Sequence, residues 1–118
     1  MQMFLQKGNY GDQQFFSEKT FDDFNTCYFC SDGNRRGLGF DKPEKNNATA
    51  VDPYPCLSAS ASTFGHTGFT GTCVWADPEK ELLFIFLSNR VYPTRDNKAF
   101  SESNIRAKIQ DALYASLN

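Results

Sequence analysis

Apolar positions are densest between Phe64 and Asn89, and their spacing there predicts strands. Leu82 to Leu87 is an unbroken run of branched and aromatic residues, too short for a globular helix and rich in strand formers. It reads as a central strand covered on both faces. Before it, Cys73 and Trp75 alternate with Thr72, Val74 and Ala76, and Asp77-Pro78-Glu79-Lys80 has turn chemistry, so the two runs predict an antiparallel hairpin. Thr63 to Gly68 reads as a third strand. It turns into the hairpin through Phe69-Thr70-Gly71, where Gly68 and Gly71 allow tight backbone geometry.

Elsewhere the apolar spacing is helical or lost. Ser17 is placed to cap a helix, with Glu18 in the first turn, Phe16 and Phe21 at staple positions, and Phe21 and Phe24 as the expected buried face. A last helix is expected from Ser101, capped by Ser101 or Ser103. Its apolar face is Ile105, Ile109, Ala112, Leu113 and Leu117, and Arg106, Lys108, Gln110 and Asp111 are expected in solvent. Met1, Phe4, Leu5 and Lys7 before Gly8 resemble the end of an amphipathic helix, so Met1 is expected to mark a boundary rather than a natural start. Asn9 to Asp12 reads as a turn, Gln14 to Phe16 as a short extended piece, Cys27 to Asn34 as either strand or turn, and Asp41 to Ala61 as a surface loop. The sum is an α+β arrangement, an antiparallel β-sheet with the C-terminal helix packed on it.

Composition narrows the function classes. With 118 residues, 40% of them hydrophobic, the chain is sized for one small globular domain or a piece of a larger one. Twelve basic residues against 14 acidic ones, with Arg35-Arg36 as the one local cluster, leave no basic stripe to follow nucleic acid. No apolar run approaches membrane-spanning length, and the first residues do not form a signal peptide.

Four cysteines, Cys27, Cys30, Cys56 and Cys73, include one C-x-x-C but no second close pair, so zinc is weaker than buried or disulfide-linked thiols; three pairings are open. Gly37 and Gly39 fail as a nucleotide loop, because no third glycine or helix start follows. No cofactor and no metal is expected.

His66-Thr67-Gly68, the glycine-containing crossing after it, the turn at Asp77-Pro78-Glu79-Lys80, and an apolar strand ending Leu87-Ser88-Asn89 before Tyr92-Pro93 resemble the class C β-lactamase and penicillin-binding-protein superfamily of serine hydrolases. Gly37-Leu38-Gly39-Phe40 resembles the strand that precedes the active-site strand there. The resemblance implies that residues 1–118 are a single C-terminal fragment of such a domain, with a partial β-lactamase/transpeptidase-like fold. It also implies a periplasmic or extracytoplasmic location, and one disulfide is then plausible. The pattern also resembles modules appended to family 3 glycoside hydrolases.

By that resemblance His66 stands where the family places lysine, and Thr67 offers a hydroxyl to a substrate carboxylate or carbonyl. Gly68 permits close approach, and the Phe69 backbone N–H is the second oxyanion donor. Imidazole titrates near neutrality whereas lysine does not, so His66 attracts a carboxylate less, and esterase, amidase or cell-wall peptidase activity fits better than β-lactam hydrolysis. No serine is followed three residues later by lysine, and no tyrosine two later by asparagine. The chain is therefore expected to carry one wall of a cleft without the nucleophile, its partners being the remainder of the parent domain and an ester, amide or peptidoglycan-like substrate. The alternative is a non-catalytic binding or structural module of a larger bacterial glycan-processing protein. Without flanking strands the Leu82 to Leu87 edge is expected to self-associate.

Overall fold

A computed structural model describes residues 1–117. The elements in chain order are α1 (Gln2–Leu5), β1 (Asn9–Tyr10), β2 (Gln13–Gln14), α2 (Glu18–Asn25), β3 (Phe64–Thr67), β4 (Cys73–Asp77), β5 (Leu82–Phe86), α3 (Ala99–Glu102) and α4 (Ile105–Ala115). The fold is α+β. Its main sheet has the order β3-β4-β5, antiparallel throughout, with Gly65 opposite Trp75 and Trp75 opposite Phe84. A minor hairpin pairs β1 with β2, so Asn9 and Tyr10 are strand where turn was expected.

Alternation along the strands divides the core into two. One face carries Phe64, Ala76 and Leu83 and is covered by Phe4, Leu5, Phe21 and Phe40; the Phe21 and Phe40 rings lie 5.2 and 5.1 Å from Phe64. The opposite face carries Cys73, Trp75 and Phe84 and packs against Tyr54 and Leu113 of α4, with Tyr54 set edge-on to Trp75 at 5.1 Å. The helix expected on one side of the sheet is therefore matched by an aromatic layer on the other.

Local signals are realised closely. Ser17 Oγ accepts the Thr20 N–H at 3.1 Å, capping α2 as expected, and Phe21 is buried while Phe16 packs against its cluster. Phe24, expected in the core, is 52% exposed: α2 is only eight residues long and lies against the sheet along a narrow stripe centred on Phe21.

Four further expectations are corrected. The Leu82 to Leu87 run is an edge strand: β4 is central, and Ile85 and Leu87 are 61% and 80% exposed. Gly37 to Phe40 is a turn rather than a strand, closed by a bridge between Arg36 and Asp41. The stretch from Asp41 to Ala61 is only partly a surface loop, because Asp41, Asn47 and Cys56 are buried and the Asn47 side chain donates to the Cys56 carbonyl and accepts the Tyr54 N–H. Helix α4 begins after Asn104, whose φ of 48° breaks it from α3, and it buries Ala107, Gln110 and Tyr114, while Ile109 and Leu117 face outward. Gln110 is thus core. Asp111, also expected in solvent, accepts the N–H groups of Leu57 and Ser58 and ties the helix to the loop.

Cys27 and Cys30 form a disulfide, which replaces the strand reading of Cys27 to Cys30 with a short turn; Cys56 and Cys73 are free and buried. Among the described residues no helix is long and apolar enough to cross a membrane.

Candidate functional site

Strand β3 carries the residues singled out by the sequence, and its backbone explains why they are where they are. Gly65 has no room for a side chain: a Cβ there would stand 2.1 Å from the Val74 carbonyl oxygen and 2.6 Å from the Trp75 ring. The close approach lets Trp75 lie flat behind β3. After Thr67 the chain turns: the Gly68 N–H donates to the Thr72 carbonyl at 2.7 Å, and Gly71, at φ 92°, completes the turn by donating to the Gly68 carbonyl. Positive φ is the reason glycine is needed at position 71.

His66 and Thr67 point to opposite faces of the sheet, as neighbours on a strand must. Thr67 shares the face of Cys73 and Trp75 and borders a cleft of about 340 Å³ that is also lined by Arg35, Tyr54, Arg106 and Gln110. His66 lies on the other face, exposed. The two side chains are linked to one another around the edge of β3.

Asp41 occupies that edge. Its N–H donates to the Gly65 carbonyl at 2.8 Å and its carbonyl accepts the Gly65 N–H at 3.1 Å. Its carboxylate, in a residue only 7% exposed, reaches both faces: Oδ1 pairs with Arg36 Nε at 2.6 Å, and Oδ2 accepts the Tyr54 hydroxyl at 2.6 Å. Arg36 Nη2 in turn meets His66 Nε2, and the Tyr54 hydroxyl lies 3.3 Å from Thr67 Oγ1. His66 Nδ1 is 2.7 Å from the Thr67 carbonyl oxygen. Burial, followed by the hydrogen bond to Asp41, raises the Tyr54 hydroxyl above its ordinary value, so it stays protonated as a donor.

The Phe69 N–H donates to no acceptor among the described residues, and Phe69 is 68% exposed. Arg90 fixes this residue from behind: its Nε donates to the Phe69 carbonyl at 2.7 Å, and its guanidinium stacks 4.9 Å from the ring. The peptide that carries the Phe69 N–H is fixed by the Gly71 N–H donating to the Gly68 carbonyl, and a backbone donor fixed in this way suits an oxyanion better than a side-chain donor, since it needs no reorganisation. In the cleft, Gln110 is 1% exposed and its Nε2 donates to no acceptor among the described residues, which leaves a buried donor beside the cavity.

The sequence singles out His66, Thr67, Gly68 and Phe69; the structure sets Arg36, Asp41, Tyr54 and Arg90 against them, residues that no local pattern ties to them. Arg36 and His66 are 30 positions apart, and no local pattern pairs them. The Arg35-Arg36 doublet was the one available signal, and it read as a charge cluster without a partner.

Comparison with known proteins gives the arrangement a setting. A family model described as Beta-lactamase matches residues 13–104. Two Escherichia coli proteins, from strains O157:H7 and K12, bear the name "Putative D-alanyl-D-alanine carboxypeptidase"; each is 32% identical over 126 residues, covering 99% of this chain and 28% of its own length. A Salmonella enteritidis protein of the same name is 36% identical over 90 residues, covering 76% of this chain and 20% of its own length. The chain thus spans less than a third of the curated relatives it matches.

Proposed function

Because the chain belongs to the β-lactamase family, we propose that residues 1–118 are the C-terminal portion of a serine hydrolase domain of carboxypeptidase, esterase or amidase type. The observation that supports this reading best is the exposed Phe69 residue just after His66-Thr67-Gly68, the peptide carrying its N–H being fixed by the Gly71 N–H donating to the Gly68 carbonyl. In an acyl transfer such an N–H stabilises the oxygen on which charge develops in the tetrahedral intermediate. Thr67 and Gly68 form the adjoining lip, and His66 fills the place of the family's lysine.

The nucleophile and its base come from outside this chain, whose sequence has neither an S-x-x-K nor a Tyr-x-Asn motif. The relatives' printed name makes a peptide ending in D-alanyl-D-alanine the first substrate to try. A periplasmic or other extracytoplasmic setting accords with that substrate and with the Cys27–Cys30 disulfide, a bond that persists in oxidising compartments.

Two measurements test the reading. Purified chain is expected to show no turnover of a p-nitrophenyl ester, whereas the full-length protein is acylated and His66→Ala slows that acylation roughly 10- to 1000-fold without unfolding it, the range of losing a positioned group at a reaction centre. Turnover by the chain alone, or acylation indifferent to His66→Ala, defeats it. A full-length protein without S-x-x-K favours the non-catalytic module instead.

The remainder of the parent domain is the partner proposed for the open side of β5. With Ile85 and Leu87 exposed on an unpaired edge, the isolated chain is expected to self-associate. Light scattering should show mass rising with concentration, and Ile85→Lys should return it to monomer; a monodisperse monomer at high concentration contradicts the expectation.

A further inference from the structure

We propose that Asp41 is the positioning residue of the His66-Thr67 pair, joining the two side chains around the edge of β3 into one closed hydrogen-bond circuit; the inference rests on reading that pair as part of a hydrolase cleft. The circuit runs from the Thr67 carbonyl to His66 Nδ1, from Nε2 to Arg36, on to Asp41, then to Tyr54, and back to Thr67 Oγ1.

Donor accounting fixes the direction of each link. A guanidinium has only donors, so His66 Nε2 faces Arg36 as an unprotonated acceptor. The proton of the neutral imidazole then sits on Nδ1, which faces the Thr67 carbonyl, a group that can only accept. Both neighbours select the same tautomer. On the other side Tyr54 has one hydroxyl proton and gives it to Asp41 Oδ2, so in the contact with Thr67 the threonine is the donor. Its hydrogen turns toward Tyr54, and its lone pairs are left toward the cleft.

Asp41 is the one member that touches both arms. Its backbone is locked to Gly65 in both directions and its carboxylate is buried, so it cannot swing away as a surface acid would. The circuit also sets the polarity of the site: the group beside the strand that only donates is the Arg36 guanidinium, and the imidazole faces it as an acceptor. An ion pair with an arginine that is 53% exposed contributes little to stability, so the consequence of this pair lies in proton placement.

His66 is the only histidine, which makes the test direct. The chain, in an Ile85→Lys background that keeps every sample monomeric, is labelled with nitrogen-15 in the imidazole, and long-range proton–nitrogen correlations are recorded at about pH 8.5, on the alkaline side of the usual histidine range. The wild type is expected to show the proton on Nδ1 alone. Arg36→Met and Asp41→Ala should each remove one of the two selectors, so that part of the proton moves to Nε2 and the two nitrogen signals draw closer, the Thr67 carbonyl retaining the rest on Nδ1. Asp41→Asn, which keeps an oxygen for Arg36 and an N–H for Tyr54, should restore the Nδ1–H form.

A wild-type proton on Nε2, or an Arg36→Met spectrum identical to wild type, overturns the circuit. If Asp41→Ala fails to fold, judged from its backbone amide spectrum, the half-exposed Arg36→Met carries the test. No turnover enters the measurement, so the circuit can fail while the hydrolase reading stands. That reading fails separately, on the motifs of the full-length protein.

Discussion

Asp77→Ala is expected to cost about 3 kcal/mol or more of folding free energy, the scale of losing more than one charge-assisted hydrogen bond inside a core. Asp77 ends β4 with 1% exposure, and its carboxylate accepts from five donors: the Ser60 N–H and hydroxyl, the Glu79 and Lys80 N–H groups, and the Tyr114 hydroxyl at 2.6 Å. One side chain therefore closes the β4–β5 turn, pins the loop before β3 and anchors α4. Alanine leaves the buried Tyr114 hydroxyl without its acceptor. Against a total stability of about 5–15 kcal/mol for an ordinary domain, this is a large share. Urea unfolding followed by far-ultraviolet circular dichroism measures it, and a midpoint unchanged from wild type refutes it.

The same residue sets the acid limit. Burial pushes the Asp77 carboxyl up, but the Ser60 and Tyr114 hydroxyls and the backbone N–H groups of Ser60 and Glu79 outweigh it and hold it below its ordinary value. A carboxyl lowered in the folded state contributes stability in full above the unfolded value of about 3.9 and loses it as pH falls through the folded value. In that window the unfolded chain binds the proton first, so stability falls with pH. Asp77→Asn is expected to flatten the acid limb of the curve while lowering its plateau.

Gly65→Ala is expected to cost about 3 kcal/mol, at the upper end of overpacking losses. The added methyl meets a carbonyl oxygen and an indole ring, and neither is the far end of a flexible chain. Relief requires β3 to part from β4, and that displaces Asp41, which is paired to Gly65 along the other edge. Because Trp75 is the single tryptophan, its fluorescence should report the displacement in the folded protein before any denaturant is added. An unfolding midpoint and emission spectrum equal to wild type would show that the strands can separate freely.

These two residues also mark how much the sequence disclosed. Asp77-Pro78 announced a turn, and Ser17 a helix cap, because their chemistry acts on neighbours three or four positions away. His66-Thr67-Gly68 stands out in the sequence because its three residues are contiguous. Gln110 was misplaced because an amide on a helix surface reads as solvated unless the neighbouring loop that buries it is known. The place of Leu82 to Leu87 at an edge depends on which other strands are present, and a run of apolar residues carries no information about that. The circuit through Asp41 gathers residues from four separate segments, which the pairing of Asp41 with Gly65 brings to one edge of β3.

The cysteines have a consequence for handling the protein. Cys56 is fully buried, and burial, with Asp111 next to it, pushes its thiol up to about 12. At pH 8 its thiolate fraction is then about one in ten thousand, and the thiolate is the species that attacks a disulfide or an alkylating reagent. Cys73, the other free thiol, is also buried, and burial raises it too, so the Cys27–Cys30 bond is protected from scrambling by its own chain for as long as the protein stays folded. Cys56 sits under Ala107 and Tyr114 of α4, so alkylation of this thiol proceeds at the pace at which the last helix lifts. The molecule carries a built-in clock for its own opening, readable by mass spectrometry after exposure to one alkylating reagent.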